Sequence, residues 1–129
     1  MTGIQPELWV ERAADAVAFY KEAFGATVLH QVGEGQDIVA QLVIEDAPFW
    51  VGSASSEMKR FSPAAIDGST GRTLLVTDDP EAVVLRATAA GAKELSPVQT
   101  EHGWTMGRIL DPFGHEWEIG KPAGRWPPG

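Results

Sequence analysis

The sequence predicts an α+β fold in which two tandem β-α-β-β-β modules form a curved, mixed eight-stranded sheet around a concave cup. Three observations predict it. The pattern of elements in the first half restarts in the second half at a shift of 66 residues. In each half an alternating strand precedes a helix that stops at a Gly-Ala step, Gly25-Ala26 and then Gly91-Ala92. In each half the tail end is a hairpin whose turn carries Asp and Pro, followed by a short alternating strand. A single module cannot cover both sides of its sheet, so two side by side, helices on the convex face, are the economical arrangement.

In order, residues 4–10 alternate, with Ile4, Pro6, Leu8 and Val10 on one face and Gln5, Glu7 and Trp9 on the other. Ala13, Val17, Tyr20 and Phe24 have helical spacing over Ala13–Phe24, and Gly25 is the natural stop. Strands fit 27–32, 37–45 and 49–52, separated by Gly33 and Gly35 and then by Asp46 and Pro48. Residues 53–70 lose all period and read as a linker with at most one helical turn. The second module follows: a strand at 72–77, a helix at Pro80–Ala90, then strands at 93–97, Trp104–Leu110 and 115–119. The repeat places Leu8-Trp9-Val10 on Leu74-Leu75-Val76 and, with one extra residue in the last turn, Trp50 on Trp117. Module one thus covers about 4–53, the linker about 54–70, module two about 71–120, and a Pro- and Gly-rich coil 121–129, all in one domain of 129 residues.

Composition removes several functions. There is no cysteine, so disulfides, thiolate metal sites and a Cys nucleophile are excluded. A formal net charge of −8 disfavours nucleic acid, which needs a basic footprint. No apolar run is long enough for a bilayer, and residues 1–4 lack the features of a signal peptide; both point to a cytoplasmic protein. No Ser-His-Asp order, phosphate loop or zinc-helix motif occurs.

The stretch Asp111-Pro112-Phe113-Gly114-His115-Glu116-Trp117-Glu118-Ile119-Gly120 suits a type I turn followed by a strand. His115, Trp117 and Ile119 then share one face, and Glu116 and Glu118 share the other. Together with Leu8-Trp9-Val10-Glu11-Arg12-Ala13-Ala14-Asp15-Ala16-Val17-Ala18-Phe19-Tyr20 and Ala23-Phe24-Gly25-Ala26, this stretch resembles the vicinal oxygen chelate superfamily. That superfamily includes glyoxalase I, bleomycin-resistance proteins and extradiol dioxygenases. The spelling Asp-Pro-Phe-Gly-His-x-Trp is similar to its PhnB-like, glyoxalase-like branch. The resemblance covers nearly the whole chain and implies a homodimer.

The resemblance also implies where metal-dependent members hold a divalent ion: on the first and last strand of each module, through His, Glu or Gln. Those positions here are Gln5, about Val51, Gly71 and Glu118. Only Gln5 and Glu118 can coordinate, which is too few for a tight site, so no metal and no other cofactor is expected. His30, His102 and His115 do not complete the set; His102 could reach the cup rim. What the cup retains is aromatic and acidic. Trp9, Trp50 and Trp104, with Glu116, Glu118 and His102, form a candidate ligand-binding set for a planar or cationic organic molecule. Arg108 and Asp111 are spaced to pair with each other, the other reading of Arg108 being a contact to a ligand carboxylate, and Arg72 reads as a rim charge first and an anion contact second. Two readings follow: a metal-free protein that sequesters a small molecule, or a glyoxalase-like lyase, isomerase or dioxygenase whose metal rests on Glu118 and Gln5.

Overall fold

The computed structural model describes residues 1–127. Its elements in order are β1 (Glu7–Val10), α1 (Ala13–Phe24), β2 (Thr27–Glu34), β3 (Asp37–Ile44), β4 (Ala47–Ser53), α2 (Pro63–Ile66), β5 (Thr73–Val76), α3 (Pro80–Ala90), β6 (Lys93–Glu101), β7 (Trp104–Leu110) and β8 (Glu116–Pro122). The fold is α+β with two β-α-β-β-β modules. The eight strands fall into two four-stranded mixed sheets, ordered β1-β4-β3-β2 and β5-β8-β7-β6, and not into one continuous sheet. In each, the first strand runs parallel to the last, which continues as an antiparallel meander.

The reason for the division is the core. Helix α1 packs on α3, and aromatic rings from both modules meet between the sheets. Tyr20 of α1 lies 5.4 Å from Phe49 of the first sheet and 5.5 Å from Trp117 of the second, centroid to centroid. Leu8, Val10, Ala40, Leu42 and Val51 of one sheet and Ile109, Trp117 and Ile119 of the other belong to the same buried cluster. Each sheet therefore has one face on the shared core and leaves its other face to solvent. Alternation enforces this, because the residues between the buried ones point outward.

The helices are set by their ends. Asp79 caps α3 by accepting the Ala82 N–H at 3.1 Å, and Pro80 occupies its first turn. At the C-terminus of α1, Gly25 takes φ +69°, which a side chain would resist. Helix α1 lacks a capping side chain at Arg12. Instead the Asp15 carboxylate in its first turn accepts from Arg12 Nε at 2.6 Å and from Gln36 Nε2 at 3.0 Å. The Arg12 and Gln36 hydrogen bonds hold the Asp15 carboxyl below its ordinary pKa.

Several strands differ from the expected bounds: β1 begins only at Glu7, β2 runs on through Gly33 to Glu34, and β4 starts at Ala47, ahead of Pro48. Strand β6 continues through Pro97 to Glu101. It is the edge strand of its sheet, and its register shifts on either side of Ser96, so the missing Pro N–H removes no ladder bond. Strand β8 runs to Pro122, two residues into the stretch that composition assigns to coil.

The repeat is real but its phase is not constant. Gly25 and Gly91 keep the 66-residue offset. At the first strand, however, Leu8 pairs with Val51 and Leu75 with Ile119, an offset of 67 from Leu8 to Leu75. Burial agrees, since Leu8 and Leu75 are buried while Leu74 and Val76 are exposed. Helix α3 is one residue shorter than α1, 11 against 12, which absorbs the difference. At the last strand Phe49 and Trp117 both pack against Tyr20, so the offset there is 68 and Trp117 matches Phe49, not Trp50. On the solvent faces Gln5 is then mirrored by Arg72, not Gly71, and Glu118 by Trp50, not Val51. No helix among the described residues is long and apolar enough to cross a membrane.

Candidate functional site

The outer face of the second sheet carries a cavity of about 340 Å³. Strand alternation aims Trp104, Met106 and Arg108 of β7 at it, together with Glu118 of β8. Ser96 and Gln99 of β6 form one side, and Arg72, just before β5, forms the other. The β6–β7 hairpin closes one end with Glu101 and His102, where His102 and Gly103 take φ +52° and +82°. Trp126 of the C-terminal segment rests edge-on against Trp104 with centroids 5.3 Å apart.

The charges of this face form a cluster. Arg72 Nε donates to Glu116 Oε2. Arg108 Nη1 donates to Glu116 Oε1 at 3.3 Å. Both oxygens of Glu116 are thus engaged, and its side chain is only 16% exposed. Glu118 sits directly across from Arg108 in the ladder, yet its nearest cation is Arg72 Nη1 at 3.8 Å, beyond hydrogen-bond distance.

The outer face of the first sheet is chemically different. Gln5 Oε1 accepts from Trp50 Nε1 at 2.8 Å and from Gln41 Nε2 at 3.0 Å. The Trp9 indole packs close against Gly52, where an added Cβ would meet it at 2.9 Å. The Arg60 guanidinium covers Trp9 at 4.9 Å from the ring centroid. Of the six residues singled out from sequence, Trp104, Glu118 and His102 line one cavity and Glu116 anchors its cations. Trp9 and Trp50 stand on the other sheet with partners of their own. His30 is exposed on β2. His115 Nε2 lies 2.8 Å from the Trp9 carbonyl oxygen and so joins the two modules.

Arg72 and Arg108 are the side chains of this cavity to which sequence reading gave too little weight. The expected Arg108–Asp111 pair does not form. Asp111 is buried and saturated: it accepts from the Tyr20 hydroxyl, from Trp117 Nε1 at 3.0 Å, and from the Phe113 and His115 N–H groups at 2.9 Å each. Arg108, on the outer face, goes to Glu116 instead. Burial, and next the Asp111 charge, push the Tyr20 hydroxyl well above its ordinary pKa. The alternating pattern of 104–110 and 115–119 contained the signal, since it sets Arg108 and Asp111 on different sides of the sheet.

The donor set does not fit a divalent ion. The positions that the resemblance implies are occupied, after the phase correction, by Gln5, Trp50, Arg72 and Glu118. Indole and guanidinium are not ligands, and the Gln5 oxygen already accepts two hydrogen bonds. No group of three or more His, Asp or Glu able to hold one ion occurs among the described residues.

Comparison with known proteins agrees with this architecture. Residues 4–119 match the profile of the Glyoxalase/Bleomycin resistance protein/Dioxygenase superfamily. The Mycobacterium tuberculosis protein Rv0887c is 32% identical over 126 residues, spanning 93% of this chain and 74% of its own length. The structure of the Arabidopsis thaliana gene product At5g48480 has a TM-score of 0.72 at 33% identity, covering 94% of this chain and 99% of that one. The same fold, at 15% identity and a TM-score of 0.72, is found in the fosfomycin resistance protein FosX of Listeria monocytogenes complexed with Mn(II); the match covers 98% of this chain and 93% of FosX.

Proposed function

The chain belongs to the Glyoxalase/Bleomycin resistance protein/Dioxygenase superfamily, and from that premise we propose that it is a metal-free binding protein for a small aromatic or cationic organic molecule. In this reading it acts by sequestration, as an antibiotic-binding member would, and falls in the PhnB-like branch. It works as a cytoplasmic homodimer without a cofactor, and nucleic acid and membrane are not its partners. One observation carries the proposal: a guanidinium, Arg72, faces Glu118 on the outer face of the second sheet, where a metal-dependent relative would need ligands. What remains is a pocket with an indole wall, Trp104, a flexible apolar floor, Met106, and a carboxylate, Glu118, held by no hydrogen bond among the described residues.

A second reading keeps a foothold in Glu118 and Gln5. It makes the protein a glyoxalase-like lyase, isomerase or dioxygenase that recruits a divalent ion, with Arg72 displaced from Glu118.

A thermal-shift screen of organic molecules finds ligands, because binding to the folded state raises its stability. Each hit is then titrated against Glu118→Gln and Trp104→Ala. Cationic hits should lose roughly 1.5–3 kcal/mol in Glu118→Gln if the charged hydrogen bond is buried. Aromatic hits should weaken in Trp104→Ala. Unchanged affinity of every hit in both variants would remove this face as the binding site.

A further inference from the structure

We infer that the pocket on the second sheet selects an aromatic zwitterion, a molecule with a ring, a cationic amine and an acidic group. This deepens the binding role proposed above and rests on it. Arg108 on β7, Glu116 and Glu118 on β8 and Arg72, just ahead of β5, gather on the outer face of the second sheet, two cations and two anions. Glu116 is spent, with one oxygen on each guanidinium. Each guanidinium carries five N–H donors. Among the described residues Arg72 places one hydrogen bond, through Nε, and Arg108 one, through Nη1. Both residues line the cavity, and their side chains are 48% and 35% exposed. Glu116 thus holds two guanidinium groups side by side with unused donors, and an incoming carboxylate, phosphonate or sulfonate can take two parallel N–H bonds from such a group.

A simple anion would nevertheless meet Glu118 and, at the hairpin end, Glu101 in the same cavity. A simple cation would satisfy Glu118 but leave Arg72 without its only contact to that carboxylate. A zwitterion resolves both. Its amine takes Glu118, its acidic group takes the donors that Arg72 and Arg108 have to spare, and the charge of the cluster stays balanced. The ring is left for Trp104 and Met106.

Four probes sharing one ring separate these contributions: indole, tryptamine, indole-3-acetate and L-tryptophan, titrated into the full chain by calorimetry. L-tryptophan should bind tightest, by roughly tenfold over either singly charged probe. In Glu118→Gln its affinity should fall to that of indole-3-acetate. In Arg108→Gln it should fall to that of tryptamine, and Arg72→Gln provides a second variant should that one unfold. Tryptamine binding as tightly as L-tryptophan, or indole-3-acetate doing so, overturns the zwitterion. Failure of all four probes also overturns it, since L-tryptophan carries all three features. The binding role itself is judged separately, on the screen hits in Trp104→Ala.

Discussion

Tyr20 and Asp111 lie 91 residues apart in sequence and share a buried hydrogen bond that links α1 of one module to the turn of the other. Asp111 has no spare capacity and Tyr20 is fully buried, so the pair acts as an internal lock. Tyr20→Phe removes one donor to a buried carboxylate and should lower stability by about 1.5–3 kcal/mol in urea denaturation at neutral pH. The sign of the pH dependence follows from the raised Tyr20 pKa. Below pH 10, the ordinary phenol value, the hydroxyl is protonated in folded and unfolded chains alike, and its contribution is complete. Above that value only the unfolded chain ionises readily, so stability falls as pH rises. Tyr20 is the one tyrosine of the chain, so phenolate absorbance reports it alone. Phenolate should appear only as the protein unfolds, well above the ordinary midpoint. A phenolate forming near pH 10 with the fold intact would contradict the lock. The Tyr20 partnership has no local signal in the sequence, and by spacing the natural partner of Asp111 was Arg108; strand alternation, inward against outward, is what separates those two.

The turn 111–115 shows what a short element demands. Gly114 takes φ +90°, and a Cβ there would lie 2.8 Å from Pro63 Cβ of α2. Gly114→Ala should therefore cost about 1–3 kcal/mol through backbone strain and overpacking together. Gly71→Ala is the control, since nothing lies within 4 Å of its added carbon. Equal thermal midpoints for the two variants would show that α2 yields freely. Sequence reading found this turn, both long helices and their Gly stops, since capping and period are local signals. It also found that the modules repeat. It could not find the phase, because the shorter α3 and the irregular register of β6 each shift it by a residue, and one residue reverses the face of a strand. That single slip is why Gly71 and Val51 appeared at the site in place of Arg72 and Trp50. Pro97 ended the expected strand too soon for a related reason, as edge position is a property of the sheet and not of the strand.

Across the whole molecule, β1 and β5 are each an edge strand of their sheet, opposite β2 and β6, and Leu74 and Val76 of β5 are 41% and 57% exposed. Unpaired edges with apolar side chains are surfaces that a second copy can cover. Sedimentation should give twice the 13.9 kDa chain mass at micromolar concentration, and Val76→Asp should shift it toward one chain. A single-chain mass for the unmodified protein would contradict the homodimer. The division into two sheets makes the open faces different, one rich in amide and indole, the other lined by a cluster of paired charges. The proposal that this superfamily scaffold binds without metal rests on the second of these. Its most direct test is elemental analysis of the purified protein for Zn, Ni, Fe and Mn, alongside Glu118→Ala. The account predicts no stoichiometric metal in either sample; one tightly held ion per chain, lost in Glu118→Ala, would contradict it and favour the enzyme reading.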